Sequence, residues 1–254
     1  MWQSDGWDVR ARIGVLTPHG DVGPESELQA MAPEGVRVHA SRVPFGAITT
    51  GGRMDPTIPL APVQAFVEPP DIDEAAALLA AAPLGAIGIG FTSSAYLIGA
   101  DGERKVVERL MEHTAGIPVV STCAAAVAGF HGFDVERIAL FNPPWFDAEL
   151  DRLGADYFTS QGLDVVVHAP CGLPSNQRSI NPADLFAWIM EHTPNNAEAV
   201  FIGGNGFRTV GVISALEADL QRPVLTANST LLWSLLYAAR TTARPTNYGR
   251  LFTL

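Results

Sequence analysis

Short apolar runs alternate along the chain with stretches of helical spacing. Residues 12–16, 36–40, 86–90 and 117–120 read as strands in the first half, and 137–141, 163–168, 199–203 and 223–225 in the second. Their near-continuous apolar character fits a parallel sheet covered on both faces, because such strands have no solvent side toward which to alternate. With helices between them, the pattern predicts an α/β fold. The uncharged stretch from Ala75 to Ala100 has the length of a membrane span. Pro83, Gly85, Gly88 and Gly90 interrupt it, so an Ala-rich helix followed by a buried strand is expected and no membrane association.

The two halves resemble each other. Arg12-Ile13-Gly14-Val15-Leu16-Thr17-Pro18 corresponds to Arg137-Ile138-Ala139-Leu140-Phe141-Asn142-Pro143, and Ala86-Ile87-Gly88-Ile89-Gly90 to Ala199-Val200-Phe201-Ile202-Gly203. Ile117-Pro118-Val119-Val120 likewise corresponds to Arg222-Pro223-Val224-Leu225. Three matches in one order imply two pseudo-symmetric lobes, each a parallel sheet flanked by helices. The expected divisions are an extension over 1–11, a first lobe over 12–133 whose last helix can cross over, a second lobe over 134–240, and a tail over 241–254. Ligands of parallel sheets sit outside the carboxyl ends of the strands, so two facing lobes place one site in the cleft between them. The loops expected there are 17–21, 91–94, 121–124, 142–145, 204–207 and 226–229.

Charge narrows the partners. With 16 Lys+Arg against 27 Asp+Glu the net charge is −11, which argues against nucleic acid. A hydrophobic fraction of 47% against 17% charged residues supports a folded chain with a substantial core. Two cysteines, Cys123 and Cys171, form no disulfide framework and no metal spacing, and no secretory signal is visible, so a cytoplasmic setting is expected. No GxGxxG or GxxxxGK[ST] loop occurs, so no nucleotide cofactor is indicated.

Several strand-end residues carry chemistry, each with a plainer alternative. Thr92 and Ser93, after Phe91, stand where a helix starts and suit an anion, or simply cap that helix. Gly204-Asn205-Gly206 offers close backbone approach to a ligand, or a tight turn with Asn205 left-handed. His19 and Asp21, with Glu25 behind them, can act as acid and base, or belong to a solvated loop and helix start. Cys123, ahead of an Ala-rich helix, can be an activated thiol or a small core residue. Cys171 receives no role.

Ile13-Gly14-Val15-Leu16-Thr17-Pro18, the Gly90-Phe91-Thr92-Ser93 turn and Gly203-Gly204-Asn205-Gly206 together resemble the aspartate/glutamate racemase superfamily, in its arylmalonate decarboxylase and maleate cis-trans isomerase branch. The resemblance covers about residues 12–240. It implies a cofactor-independent, metal-free lyase or isomerase acting on a small mono- or dicarboxylic acid. That family uses one or two cysteines, one per lobe, and the matching positions here are Phe91 and Gly204. The carboxylate-holding part matches better: Thr92 and Ser93 fall on the hydroxyl-bearing turn, Trp145 near a tyrosine of the family, and Asp21 where the isomerases carry asparagine. Thr17, Pro18, Phe91, Gly204, Asn205 and Gly206 complete the expected substrate pocket. With both cysteines missing, His19, Asp21 and Cys123 are the candidate catalytic groups, with His19 the leading acid/base and Thr92, Ser93 and the Asn205 N–H holding the carboxylate. A carboxylate-binding or sensing protein without catalysis, and a hydrolase or hydratase on the same scaffold, are the rival expectations. For the tail, packing on a second copy of the chain is one option.

Overall fold

The computed structural model describes residues 5–49 and 51–254. The first half runs β1 (Ala11–Pro18), α1 (Gly23–Met31), β2 (Val36–Val43), a small hairpin β3 (Ile48–Thr49) and β4 (Arg53–Met54), then α2 (Leu60–Val67), α3 (Asp71–Ala80), β5 (Ala86–Ile89), α4 (Thr92–His113), β6 (Val119–Ser121) and α5 (Thr122–Gly132). The second runs β7 (Arg137–Asn142), α6 (Ala148–Ser160), β8 (Asp164–Pro170), α7 (Pro182–His192), β9 (Ala199–Ile202), α8 (Ile213–Leu220), β10 (Val224–Thr226) and α9 (Ala227–Ala238). All eight expected strands form, with ends shifted by up to three residues. The hairpin and α2 were not legible in the apolar pattern.

Each half contributes one four-stranded parallel sheet, in the orders β2-β1-β5-β6 and β8-β7-β9-β10. The two orders are the same, element for element, which is the expected pseudo-symmetry realised in space. Central strands β5 and β9 are buried at every residue, whereas the edge strands β2 and β8 carry exposed or half-buried positions.

The lobes exchange their last helices. Phe130 of α5 packs its ring against Phe158 of α6 and Phe201 of β9, both in the second half. Conversely, a Cβ on Gly88 of β5 would lie 2.8 Å from Leu231 of α9, so α9 rests on the first sheet. Helix α9 is enclosed along most of its length, with Leu231, Leu232 and Leu235 at 0% exposure, and this explains its apolar character all round. Thr226 and Ser229 cap its start with a reciprocal pair of hydrogen bonds. No helix among the described residues is long and apolar enough to cross a membrane.

Candidate active site

Between the lobes a buried chain of polar side chains ties the strand-end loops 91–94, 121–124, 204–207 and 226–229 to α1. Asn205 Oδ1 accepts from the Thr92 amide at 2.9 Å and from the Thr92 hydroxyl at 2.7 Å. The Gly204 amide donates to that hydroxyl at 3.1 Å. Asn205 Nδ2 donates to Thr122 Oγ1 at 3.1 Å and to Asn228 Oδ1 at 2.9 Å. Asn228 in turn donates to Glu27 at 2.8 Å. Glu27 also accepts from the Thr209 and Val210 amides at 2.6 and 3.0 Å, and burial pushes its carboxyl above the usual range against those bonds. The bonds from Thr92 to Asn205 and Gly204, from Asn205 to Thr122, and from Thr209, Val210 and Asn228 to Glu27 join the two halves of the chain, so the seam fixes the cleft.

Asp21 occupies the mouth of this seam. Its amide donates to Pro18 O at 2.9 Å, which turns the chain back at the end of β1. Asp21 Oδ1 accepts from the Gly23 amide at 2.8 Å and from Gln177 Nε2 at 3.0 Å. Oδ2 faces the other lobe: a Cβ on Gly206 would come within 2.6 Å of it. Although Arg42 donates to the Asp21 carbonyl and lowers the carboxyl's pKa, burial outweighs it and raises the value from 3.8 to about 6. The solvated helix-start alternative therefore does not describe Asp21, which is only 4% exposed. Glu25 does match it in part, being half-buried and paired with Arg42.

The other expected groups divide. His19 is exposed, and its Nδ1 accepts from the Phe45 amide at 3.0 Å, a role that requires a neutral ring with the proton on Nε2. Cys123 is fully buried, its thiol 3.8 Å from the Thr92 carbonyl, and burial together with nearby Glu103 raises its pKa well above the ordinary value. It supports the Thr92 turn as a thiol and is not activated as a thiolate. Cys171 is buried too, with its thiol pushed up.

Thr92 and Asn205 hold each other, so their side chains are already engaged. Gly204, and not Asn205, is the left-handed residue of its turn, at φ 81°. Ser93 lies buried beside Thr92 outside the seam. Pro18 is buried at the end of β1, and Thr17 beside it is fully buried with a hydroxyl that has no hydrogen-bond partner among the described residues. Phe91 turns its ring away into an apolar wall, 4.9 Å from Phe45 and 4.4 Å from Phe66 between ring centres. Trp145 is buried edge-on to Phe207 at 5.6 Å, and its carbonyl accepts from Ile58, so the 55–59 segment covers it. Beside Asp21 opens a cavity of about 520 Å³ walled in part by Gly20, Gly23, Gln177 and Gly206.

The sequence reading missed Glu27 and Gln177. Gln177 reaches Asp21 from a loop far along the chain, with no local signal. Glu27 had one: Pro24, Glu27, Leu28 and Met31 form the buried face of α1, and a carboxylate on such a stripe needs partners.

The sequence model of arylmalonate decarboxylase matches residues 64–252. The chain belongs to the arylmalonate decarboxylase family. No curated protein sequence matches it significantly. Among solved structures, it is similar to a variant of the Pseudomonas putida maleate isomerase with maleate, at TM-score 0.81 and 21% identity over 96% of this chain and 97% of that one. A structure of arylmalonate decarboxylase gives TM-score 0.78 and 18% identity over 95% and 99% of the two chains. A Nocardia farcinica maleate cis-trans isomerase variant carrying a covalently bound succinylcysteine intermediate gives 0.80 and 19% over 95% and 98%. These likenesses show that this family member shares their two-lobed α/β fold.

Proposed function

We propose that this arylmalonate decarboxylase family member is a cofactor-independent lyase acting on a small malonate-type carboxylic acid, with Asp21 as the group that delivers the proton. The observation that carries this reading is Asp21 itself: a buried carboxyl at the end of β1, one oxygen held by Gly23 and Gln177 and the other turned toward Gly206 of the opposite lobe. A pKa raised to about 6 keeps a usable fraction protonated near neutrality. In the reaction, the bond to the departing carboxylate breaks and CO₂ leaves. The electron pair remains on the substrate as an enediolate, which takes the Asp21 proton at carbon. Solvent then reprotonates Asp21.

The remaining carboxylate has donors within the expected pocket. Ser93 and the backbone N–H groups at the start of α4 suit an oxyanion. An isomerisation through a covalent cysteine adduct finds less support. Gly204 and Phe91 stand at the positions the resemblance gives to cysteines, and both thiols of the chain are buried and held protonated.

Proton NMR in deuterated water tests this, using chelator-treated protein with methylmalonate, phenylmalonate and maleate. The reading expects decarboxylation with deuterium incorporated at the α-carbon, and loss of that product in Asp21→Asn. A melting-temperature rise without product supports the carboxylate-binding alternative instead. Labelled solvent oxygen appearing in product supports a hydrolase or hydratase.

A further inference from the structure

The cavity beside Asp21 carries charge that the reaction above does not use. Arg178 and Arg208 both line it, and both are exposed. Some arginines of this acidic chain are neutralised, Arg42 by Glu25, Arg109 by Asp73 and Arg137 by Glu198, while others such as Arg12, Arg37, Arg222 and Arg244 donate to backbone carbonyls away from this cavity. Among the described residues Arg178 and Arg208 meet no carboxylate. Each donates to one backbone carbonyl at 3.4 Å, Arg178 to Gly51 and Arg208 to Ile180. The single acidic residue in the cavity lining is Glu27, and its oxygens are already engaged by Thr209, Val210 and Asn228. The cavity thus offers two guanidiniums free of carboxylate partners among the described residues, in a chain of net charge −11, and their forked donors match carboxylate or phosphate oxygens.

Its inner wall abuts Asp21. Gly23 and Gly206 line the cavity and lie against the two Asp21 oxygens, and Gln177 lines it while donating to Asp21. We infer that the cavity receives the far end of the substrate and that this end is anionic, a carboxylate or phosphate held by Arg178 and Arg208. The inference rests on the proposed reaction only in placing the reacting end at Asp21.

Isothermal titration of the full chain with adipate and hexanoate isolates the far group, since the two acids match in length and differ by one terminal carboxylate. The expected result is adipate binding tighter than hexanoate by about tenfold or more, and a loss of about tenfold in adipate affinity in each of Arg178→Gln and Arg208→Gln, with hexanoate unchanged. Because both side chains are exposed, ligand-free melting of the variants should match the parent. Inorganic phosphate that displaces adipate and not hexanoate points to a phosphate-bearing substrate, and indifference to phosphate points to a dicarboxylate. Equal affinity for the two acids, no adipate binding, or adipate affinity unaltered in the double variant overturns the inference. If adipate binding depends on the arginines while no malonate is turned over, the anion seat stands and the proposed reaction falls.

Discussion

Asp21 couples the site to stability as well as to chemistry. Because burial raises its pKa from 3.8 to about 6, the native state holds this proton more tightly than the unfolded chain does. Its contribution to stability is therefore complete below about pH 4 and is lost as pH rises through 6. Between pH 4 and 7 the parent should lose about 2 kcal/mol relative to Asp21→Asn, which carries no charge to bury. Urea titrations at several pH values check this, and a pH-independent difference contradicts it. Gly204 makes a second demand at the same scale: at φ 81° any Cβ is strained, and this one would lie 2.5 Å from Pro143 Cγ. Gly204→Ala should cost about 2 kcal/mol or more in chemical denaturation. Both positions were visible in the sequence as strand-end residues. What the sequence lacked was the depth of Asp21, which depends on Gln177 and Gly206 arriving from the other lobe.

The exchanged helices explain how the cleft is held. Helix α1 faces inward with Glu27, and Glu27 is the acceptor for backbone and side-chain donors from Thr209, Val210 and Asn228 across the boundary. Truncation in Glu27→Ala leaves those buried donors without an acceptor, and about 3 kcal/mol or more of stability should be lost in urea. A loss under about 1 kcal/mol would show that the seam does not bind the lobes. Strands were legible because a doubly covered parallel sheet leaves a strong apolar signature. The hairpin β3 and β4 was not, since two-residue strands have no period to read. A crossing last helix of the first lobe was among the expectations, whereas the matching crossover of α9 follows only from its packing on Gly88.

At the scale of the whole molecule, two lobes that each complete the other's core should unfold together. With Trp2, Trp7 and Trp233 replaced by Phe, Trp145 and Trp188 report the second lobe by fluorescence, while far-ultraviolet circular dichroism reports both. Coincident urea midpoints are expected, and separated transitions would mean that the lobes are independent. The two-lobed fold was readable from three short internal matches, because duplicated topology repeats its buried strands. The site was readable as a set of loops but not as a mechanism: Phe91 and Gly204 remove the cysteines of the resemblance, and the remaining choice among His19, Asp21 and Cys123 needed their burial and partners. The most direct test is the pH dependence of kcat/KM for decarboxylation of the best malonate, in the parent and in Asp21→Asn. An inflection near pH 6 in the parent, absent from a variant slowed by about a hundredfold or more, is the predicted result. A variant that keeps its rate within a few fold and titrates as the parent does would contradict the assignment of Asp21 as the proton donor.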